Sequence, residues 1–296
     1  MEKIDKSNGI VNYNDDKHLY WTNDNESCIS VTTLIDKFAT FDREFWSSYK
    51  ALQSLAGDAF DKVKKKLQKS KHFDISLLAD FGLSLSDFGK EKEKVLQSWT
   101  KKADESCERG TAIHKNHETG SLRGIDPELK YLGLKQKDFS LVTDNKIISE
   151  GNHIYPEVLL SLNTEGIWIA GQADKVINIG NEFIVLDYKT NAKIEKKGYY
   201  DSSSRSTQKM RYPMNDLDDC NFSHYEMQLS TYAYMIQNMV PGSKIKSMYL
   251  IHYDHTGKCT WIECKYRKDT VEKMFIEYKR RIGNERFARE NKPFRY

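Results

Sequence analysis

The stretch from Pro156 to Thr190, PEVLLSLNTEGIWIAGQADKVINIGNEFIVLDYKT, constrains the fold of this chain more than any other. Its apolar and β-branched runs are cut at Thr164-Glu165-Gly166 and again at Gly180-Asn181, both rich in turn formers. That pattern predicts three strands joined by two tight turns. Each strand carries an acid. Glu157 opens the first, Asp174 lies within the second, and Asp187 ends the third, followed at once by Tyr188 and Lys189. Side chains alternate across a strand, so Asp187 and Lys189 project the same way as Phe183 and Val185. With strands two and three paired about Gly180-Asn181, the thirteen-residue gap sets Asp174 beside Asp187. Carboxylates so close repel unless a cation lies between them, and hard oxygen ligands favour Mg2+ or Mn2+. A lysine two residues past a ligand is placed to hold a nucleophilic water or to steady a phosphate. Together these groups equip a chain for metal-assisted phosphodiester hydrolysis. The apolar run Phe183-Ile184-Val185-Leu186 suggests a buried strand, and the exposed end of such a strand is a common place for a site.

Asp174 followed thirteen positions on by Asp187-Tyr188-Lys189-Thr190 resembles the core motif of the PD-(D/E)XK nuclease superfamily. The preceding Gly171-x-x-Asp174 and the DYKT form are similar to its RecB-type and phage-exonuclease branch, which includes the mitochondrial genome maintenance exonuclease. By motif the likeness runs from about Gly110 to Tyr234. It implies an α/β fold of the restriction-endonuclease type, a mixed central sheet flanked by helices, with a helical N-terminal elaboration. It also implies divalent-metal cleavage of DNA. Gly110-Thr111-x-x-His114-x-x-x-Glu118 resembles the first RecB-type motif, whose histidine coordinates the metal. Imidazole suits Mn2+ better than Mg2+. Gln228-x-x-x-Tyr232 resembles the closing motif, which lies by the active site and contacts DNA. Carried onto this chain, the resemblance implies a metal held by Asp174, Asp187, the Tyr188 carbonyl and His114. Glu157 then binds a second ion or orients water, and Lys189 positions the attacking water. Glu118, one turn beyond His114, is placed to orient its ring. Gln228 and Tyr232 hold the strand, and an aromatic ring at Tyr232 can stack an unpaired base.

A chain of 296 residues makes one large domain or two small ones. We expect a strand and helical elaboration over residues 1–100, packed on a nuclease core over 101–296 that ends in a hairpin and a helix. No apolar run approaches a membrane span. The opening MEKIDKSNGI has no apolar signal core and is not Arg-rich, which points to the cytoplasm, that of a host if the source is viral. The five cysteines form no Cys-x-x-Cys pair, so neither a zinc knuckle nor a disulfide framework is indicated. Some RecB-type nucleases carry an iron–sulfur cluster on four cysteines. The close grouping that it requires is absent after Asp187, and no cluster is expected.

Net charge, +3, is too small to argue for nucleic acid, but its distribution says more. The basic segments 62–71 and 279–289 read by themselves as solvated helix faces, and in a nuclease they would also line a phosphate backbone, as would Arg205, Lys209 and Arg211 within the polar loop 191–222. That loop is either mobile or functional. Residues 10–33 read as a hairpin, or as a strand leading into a helix from Thr32. Residues 33–70 read as helical, 73–90 as short helices or turns, and 89–120 as a long helix or a broken pair. The stripe Val95, Trp99, Ala103, Cys107, Gly110 and His114 faces the core in that reading. A strand is expected at 146–149 within a linker, a helix over 223–240 capped by Ser223, a hairpin over 244–266 and a terminal amphipathic helix over 268–290. The function expected is a metal-dependent DNA exonuclease acting on single-stranded or end-processed DNA. An endonuclease of the same fold, and a non-catalytic DNA-binding partner in recombination, remain open alternatives.

Overall fold

The computed structural model describes residues 3–147, 150–201 and 205–290, with side chains as far as residue 284. The N-terminal part contains strands β1 (Lys6–Ser7), β2 (Val11–Asn14), β3 (Leu19–Thr22) and β4 (Ile29–Ser30). Helices α1 (Val31–Asp36), α2 (Arg43–Ala56), α3 (Asp61–Ser70), α4 (Leu77–Asp80), α5 (Leu85–Leu122) and α6 (Pro127–Tyr131) follow. Then come β5 (Ser140–Leu141), β6 (Asn152–Thr164), β7 (Ile167–Ile179), β8 (Glu182–Lys189), β9 (Tyr200–Asp201) and β10 (Ser206–Thr207). Helix α7 (Asn221–Met239), the hairpin β11 (Lys244–Tyr253) and β12 (Cys259–Cys264), and α8 (Lys268–Glu290) close the chain.

The three strands and two turns form where the sequence pattern puts them. Glu165 and Gly166 take φ of 49° and 86°, the left-handed pair that a two-residue hairpin turn demands. Gly180 turns the next pair at φ 63°. The first strand starts earlier than expected, at Asn152. Residues 148–149 of the strand expected at 146–149 lie outside the described residues, and β5 forms ahead of them.

The main sheet runs β12-β11-β8-β7-β6-β5, with β4 added against β7. Pairs β6–β7, β7–β8 and β11–β12 are antiparallel, whereas β8–β11, β5–β6 and β4–β7 are parallel. The molecule is thus a mixed α/β protein with a curled mixed sheet flanked by helices. Phe183 and Val185 pack with α7 and α8 on one face, through Met227, Leu229, Ile236 and Phe275. Ile184, Leu186 and Tyr188 pack with Ile154, Ile177 and Leu129 on the other. A separate cluster of Phe45, Trp46, Tyr49, Leu52, Phe60 and Phe88 joins α2, α3 and the start of α5.

One irregularity positions the site. Strand β7 pairs with β8 only from Lys175 to Ile179, and with β4 only at Ile169 and Ala170. Beyond Leu186, β8 stays with β11 and leaves β7. The sheet therefore opens at Asp174 and Asp187, the next step of the β7–β8 register.

Two expectations need correction, the α5 core stripe and the Ser223 cap. Helix α5 is one unbroken helix of 38 residues, about 57 Å long. Its expected core stripe does not stay buried, because Ala103 and Cys107 are exposed. The helix packs at its start on the α2–α3 cluster and near its end on the sheet, and between them Ala103 and Cys107 lie on a face open to solvent. Helix α7 begins at Asn221 after Cys220, so Ser223 lies in the first turn and is not the cap. Glu226 does not close a capping box; it accepts from the Lys265 backbone at 3.0 Å and pairs with Arg267 at 2.5 Å. The described part of loop 191–222 is tied down. Met210, Met214 and Leu217 are buried in the core, and Gly198 sits so close to the Gln208 carbonyl that a Cβ would clash with it. Among the described residues no helix is long and apolar enough to cross a membrane.

Candidate active site

At the opening between β7 and β8, the Asp174 carboxylate replaces a strand partner. Its Oδ2 accepts the Tyr188 backbone N–H at 2.6 Å. The side chain thereby satisfies a donor that the diverging strands would strand. Alternation along β8 sends Asp187 and Lys189 towards α7, as expected, and Gln228 of α7 donates to Asp187 Oδ1 at 3.2 Å. The Lys189 ammonium lies 2.7 Å from Asp187 Oδ2 and 4.6 Å above the Tyr225 ring. Tyr225 is held in turn by its hydroxyl, which donates to Asn191 at 2.6 Å.

Helix α5 brings His114 to the same place. Its Nδ1 lies 3.4 Å from Glu157 Oε1 and 3.5 Å from Asp174 Oδ1, while Nε2 lies 3.4 Å from the Tyr188 carbonyl oxygen. His114, Glu157 and Asp174 each offer a ligand atom, all within 4.8 Å of one another, and together they form a group able to hold a metal ion. The set differs from the expected one. Glu157 joins His114 and Asp174, whereas the Asp187 oxygens face Gln228 and Lys189. Glu157 adopts φ of 48° within its strand, a conformation that non-glycine residues rarely hold. Gln172 donates to its Oε2.

The electrostatics follow from crowding. Burial pushes the Asp174 carboxyl up, and the Asp187 charge pushes it further, although His114 opposes both. Burial disfavours a charged His114, but Asp174 and Glu157 outweigh it and lift the imidazole to about 9. Burial likewise works against the Lys189 charge, and Asp187 and Asp174 hold it raised. Asp187 Oδ2 is buried and accepts no hydrogen bond of good geometry, its ion pair with Lys189 aside. Acids packed this closely are chemically matched to a cation with an oxygen-rich shell.

The remaining expected site residues behave differently from one another. Gln228 sits between Asp187 and the Tyr232 hydroxyl, which it reaches at 3.1 Å. Tyr232 is only 3% exposed, with its ring laid on Gly171, so it has no free face to stack a base. A Cβ on Gly171 would fall 2.7 Å from that ring. Glu118 is half-buried and makes no hydrogen bond to His114, whose nitrogens face Glu157, Asp174 and Tyr188. Arg205 and Arg211 are exposed, and Lys209 pairs with Asp218 at 2.5 Å; no contact joins any of the three to the carboxylates. The side chains of 285–289 in the second basic segment lie outside the described residues.

Behind the carboxylates lies a network that sequence reasoning missed. Lys175, 1% exposed, places its ammonium 2.8 Å from both Asp126 Oδ1 and Glu128 Oε2. Glu128 Oε1 accepts the Tyr188 hydroxyl at 2.9 Å and lies 2.8 Å from His117 Nδ1. The His117 ring stacks on Tyr188 at 4.1 Å. Burial pushes Glu128 up, but His117 and Lys175 outweigh it and hold the carboxyl near 2. These contacts clamp Tyr188, and hence both Asp187 and Lys189, against α5. The one local signal was Lys175 itself, a lysine between Ala173 and Val176 in the buried part of β7.

No family model matches the chain, and no curated protein matches it. Among solved structures, SSO0001 is similar at 15% identity over 85% of this chain and 75% of that one, with a TM-score of 0.31. A second, named "Putative exonuclease" and from Eubacterium rectale, is similar at 12% identity over 91% of this chain and 90% of that one, with a TM-score of 0.35.

Proposed function

We propose that this chain is a divalent-metal-dependent deoxyribonuclease of the PD-(D/E)XK type, with a restriction-endonuclease-like core. The observation that carries the reading is the gathering of Glu157, Asp174, Asp187, Lys189 and His114 at the one place where β7 and β8 part. His114, Glu157 and Asp174 would hold Mg2+ or Mn2+, with the Asp187 carboxylate beside them. The ion, when bound, supplies Lewis-acid stabilisation of charge on the phosphoryl oxygens and lowers the pKa of water. Lys189, held as an ammonium between Asp187 and the Tyr225 ring, is the group nearest the carboxylates that can steady an anionic phosphorane-like transition state. Gln228 orients Asp187 and ties it to Tyr232. Glu128 and His117 act at one remove, by fixing Tyr188.

Action from a free or single-stranded end rests on the likeness of the DYKT and Gln228-x-x-x-Tyr232 motifs to the phage and mitochondrial exonuclease branch. Such an activity belongs to replication, recombination or repair of DNA. The test uses purified protein with end-labelled linear single-stranded DNA and a covalently closed circle of the same sequence, in Mn2+ and in EDTA. Linear strands are shortened in Mn2+, circles persist, and EDTA stops the reaction. Intact linear DNA in Mn2+ removes the nuclease reading, and circles cut as fast as linear strands convert it to an endonuclease.

A further inference from the structure

A second concave site lies away from the carboxylates, between α2, α3, α5 and the segment after β8. It is a cleft of about 530 Å³, within the range of small-molecule sites. Trp46 and Tyr49, both buried, form its floor. Phe41, Trp99 and Tyr199 form its rim. Phe41 is 57% exposed and Tyr199 43%. The Trp46 and Tyr199 rings meet at 5.0 Å, and Phe41 and Trp99 at 6.0 Å.

The polar groups around these rings fit a nucleotide. Lys50 and Lys64 line the cleft, and the Lys71 ammonium lies 4.6 Å over Trp46 and 5.3 Å over Tyr199. The acid present, Asp219, is already engaged by the Thr40 N–H at 2.6 Å, the Thr40 hydroxyl at 2.7 Å and His224 at 2.8 Å. Gln68 is the most specific feature. It is 4% exposed, it donates to the Tyr199 hydroxyl at 2.6 Å, and its Oε1 is buried without a hydrogen bond. An unsatisfied buried acceptor beside aromatic faces suits the amine or imide N–H of a nucleobase edge.

We propose that this cleft binds an unpaired nucleobase of the strand being cut, by stacking on the Trp99, Phe41 and Tyr199 faces with its backbone phosphates beside Lys50 and Lys64. The proposal rests on the nuclease reading for the identity of the strand. Connectivity supports it. Trp99 and His114 stand on the same helix, fifteen residues or about 22 Å apart. The stretch of α5 between them is fastened to the end of β8, where Thr190 donates to the Ser106 carbonyl at 3.0 Å. Tyr199 comes from the segment that follows Lys189 and Thr190. A strand lying along α5 would pass from the aromatic cleft to the carboxylates. The buried Tyr232 leaves the stacking role to such a surface.

The test compares binding of two labelled single strands by fluorescence anisotropy in EDTA: a thymidine oligonucleotide, and an abasic deoxyribose-phosphate strand of equal length. Wild-type protein should prefer the base-bearing strand by about tenfold or more. Phe41→Ala and Trp99→Ala should each narrow that gap while leaving affinity for the abasic strand unchanged. Phe41 is largely exposed, so its variant reads out the cleft even where Trp99→Ala disturbs folding. Equal affinity for the two strands, or a gap that survives Phe41→Ala, overturns the proposal. Cleavage in Mn2+ is scored separately. Protein that cuts DNA without discriminating the strands keeps the nuclease reading and loses the cleft. Base-dependent binding without any cleavage keeps the cleft and loses the nuclease.

Discussion

Glu157 and Asp174 face each other across β6 and β7 at the single step of the β6–β7 ladder that is left unpaired. Pro156, just before it, has no N–H to give a ladder, and Glu157 turns to φ 48°. The strand is bent there at a local cost, and its carboxylate is carried to 3.4 Å from His114. Strain of this kind persists only where surrounding structure enforces it, and it concentrates at functional positions.

Glu157→Gly should therefore separate stability from activity. Glycine relieves the left-handed backbone, and the change also removes one of the crowded acids. The expected variant melts no lower than wild type, yet cleaves at a rate reduced by roughly a hundredfold or more. Calorimetry and single-turnover cleavage measure the two. A variant that retains wild-type cleavage takes Glu157 out of the site.

His114→Ala addresses the metal directly. It removes one of three converging ligands without opening the core, since the ring is part-exposed in the gap beside α5. Calorimetric titration with Mn2+ should show affinity weakened by roughly tenfold or more, about 1.4 kcal/mol, with the fold retained. Unchanged affinity together with a large fall in melting temperature would make His114 an ordinary structural histidine.

Asp187→Asn should abolish cleavage and leave DNA binding nearly unchanged, because affinity comes chiefly from phosphate contacts elsewhere. Filter binding and a labelled-strand assay on the same preparation separate the two. Full cleavage by this variant in Mg2+ removes Asp187 from the mechanism.

Two glycines make opposite predictions. A Cβ on Gly171 meets the Tyr232 ring at 2.7 Å and Val31 at 3.0 Å, so Gly171→Ala must displace Tyr232 and with it Gln228. Overpacking of this sort costs about 1–3 kcal/mol. At Gly110 a Cβ makes only a 3.4 Å contact with Thr190, and Gly110→Ala in mid-helix should be neutral or stabilise by about 0.5–1 kcal/mol. Denaturant melts of the pair decide it; equal effects would mean that Gly171 is not packed against the Tyr232 ring.

Acid stability should depend on Glu128. Its carboxyl is held near 2, below its ordinary 4.5, by His117 and Lys175. A depressed carboxyl contributes stability that is complete above the ordinary value and is lost as pH falls towards the folded one. The melting temperature of wild type should thus drop between about pH 4.5 and 2 more steeply than that of Glu128→Gln. Parallel curves would show that the buried pair with Lys175 adds no pH-dependent stability.

Much of the sheet was legible in the sequence because its signals are local. The Glu165-Gly166 and Gly180-Asn181 turns set the register of β6, β7 and β8, and strand alternation then placed Asp187 and Lys189 together. The α5 stripe misled because a period of 3.6 reports which residues share a face, and not whether anything covers that face. Ser223 misled for a related reason. The cap is decided by where the preceding chain departs, and Asn221 is pinned by the Glu195 N–H at 2.7 Å.

The sequence alone indicated that Asp174 and Asp187 fall at facing positions, given that β7 and β8 pair about Gly180-Asn181. Only the tertiary structure decided that Glu157, rather than Asp187, joins His114 and Asp174, that Tyr232 is buried on Gly171, and that Lys175 and Glu128 clamp Tyr188 from behind. Those contacts join α5, α6 and α7 to the sheet across long separations in the chain. They arise from how helices seat on a sheet that opens at one step, and no local spacing encodes that.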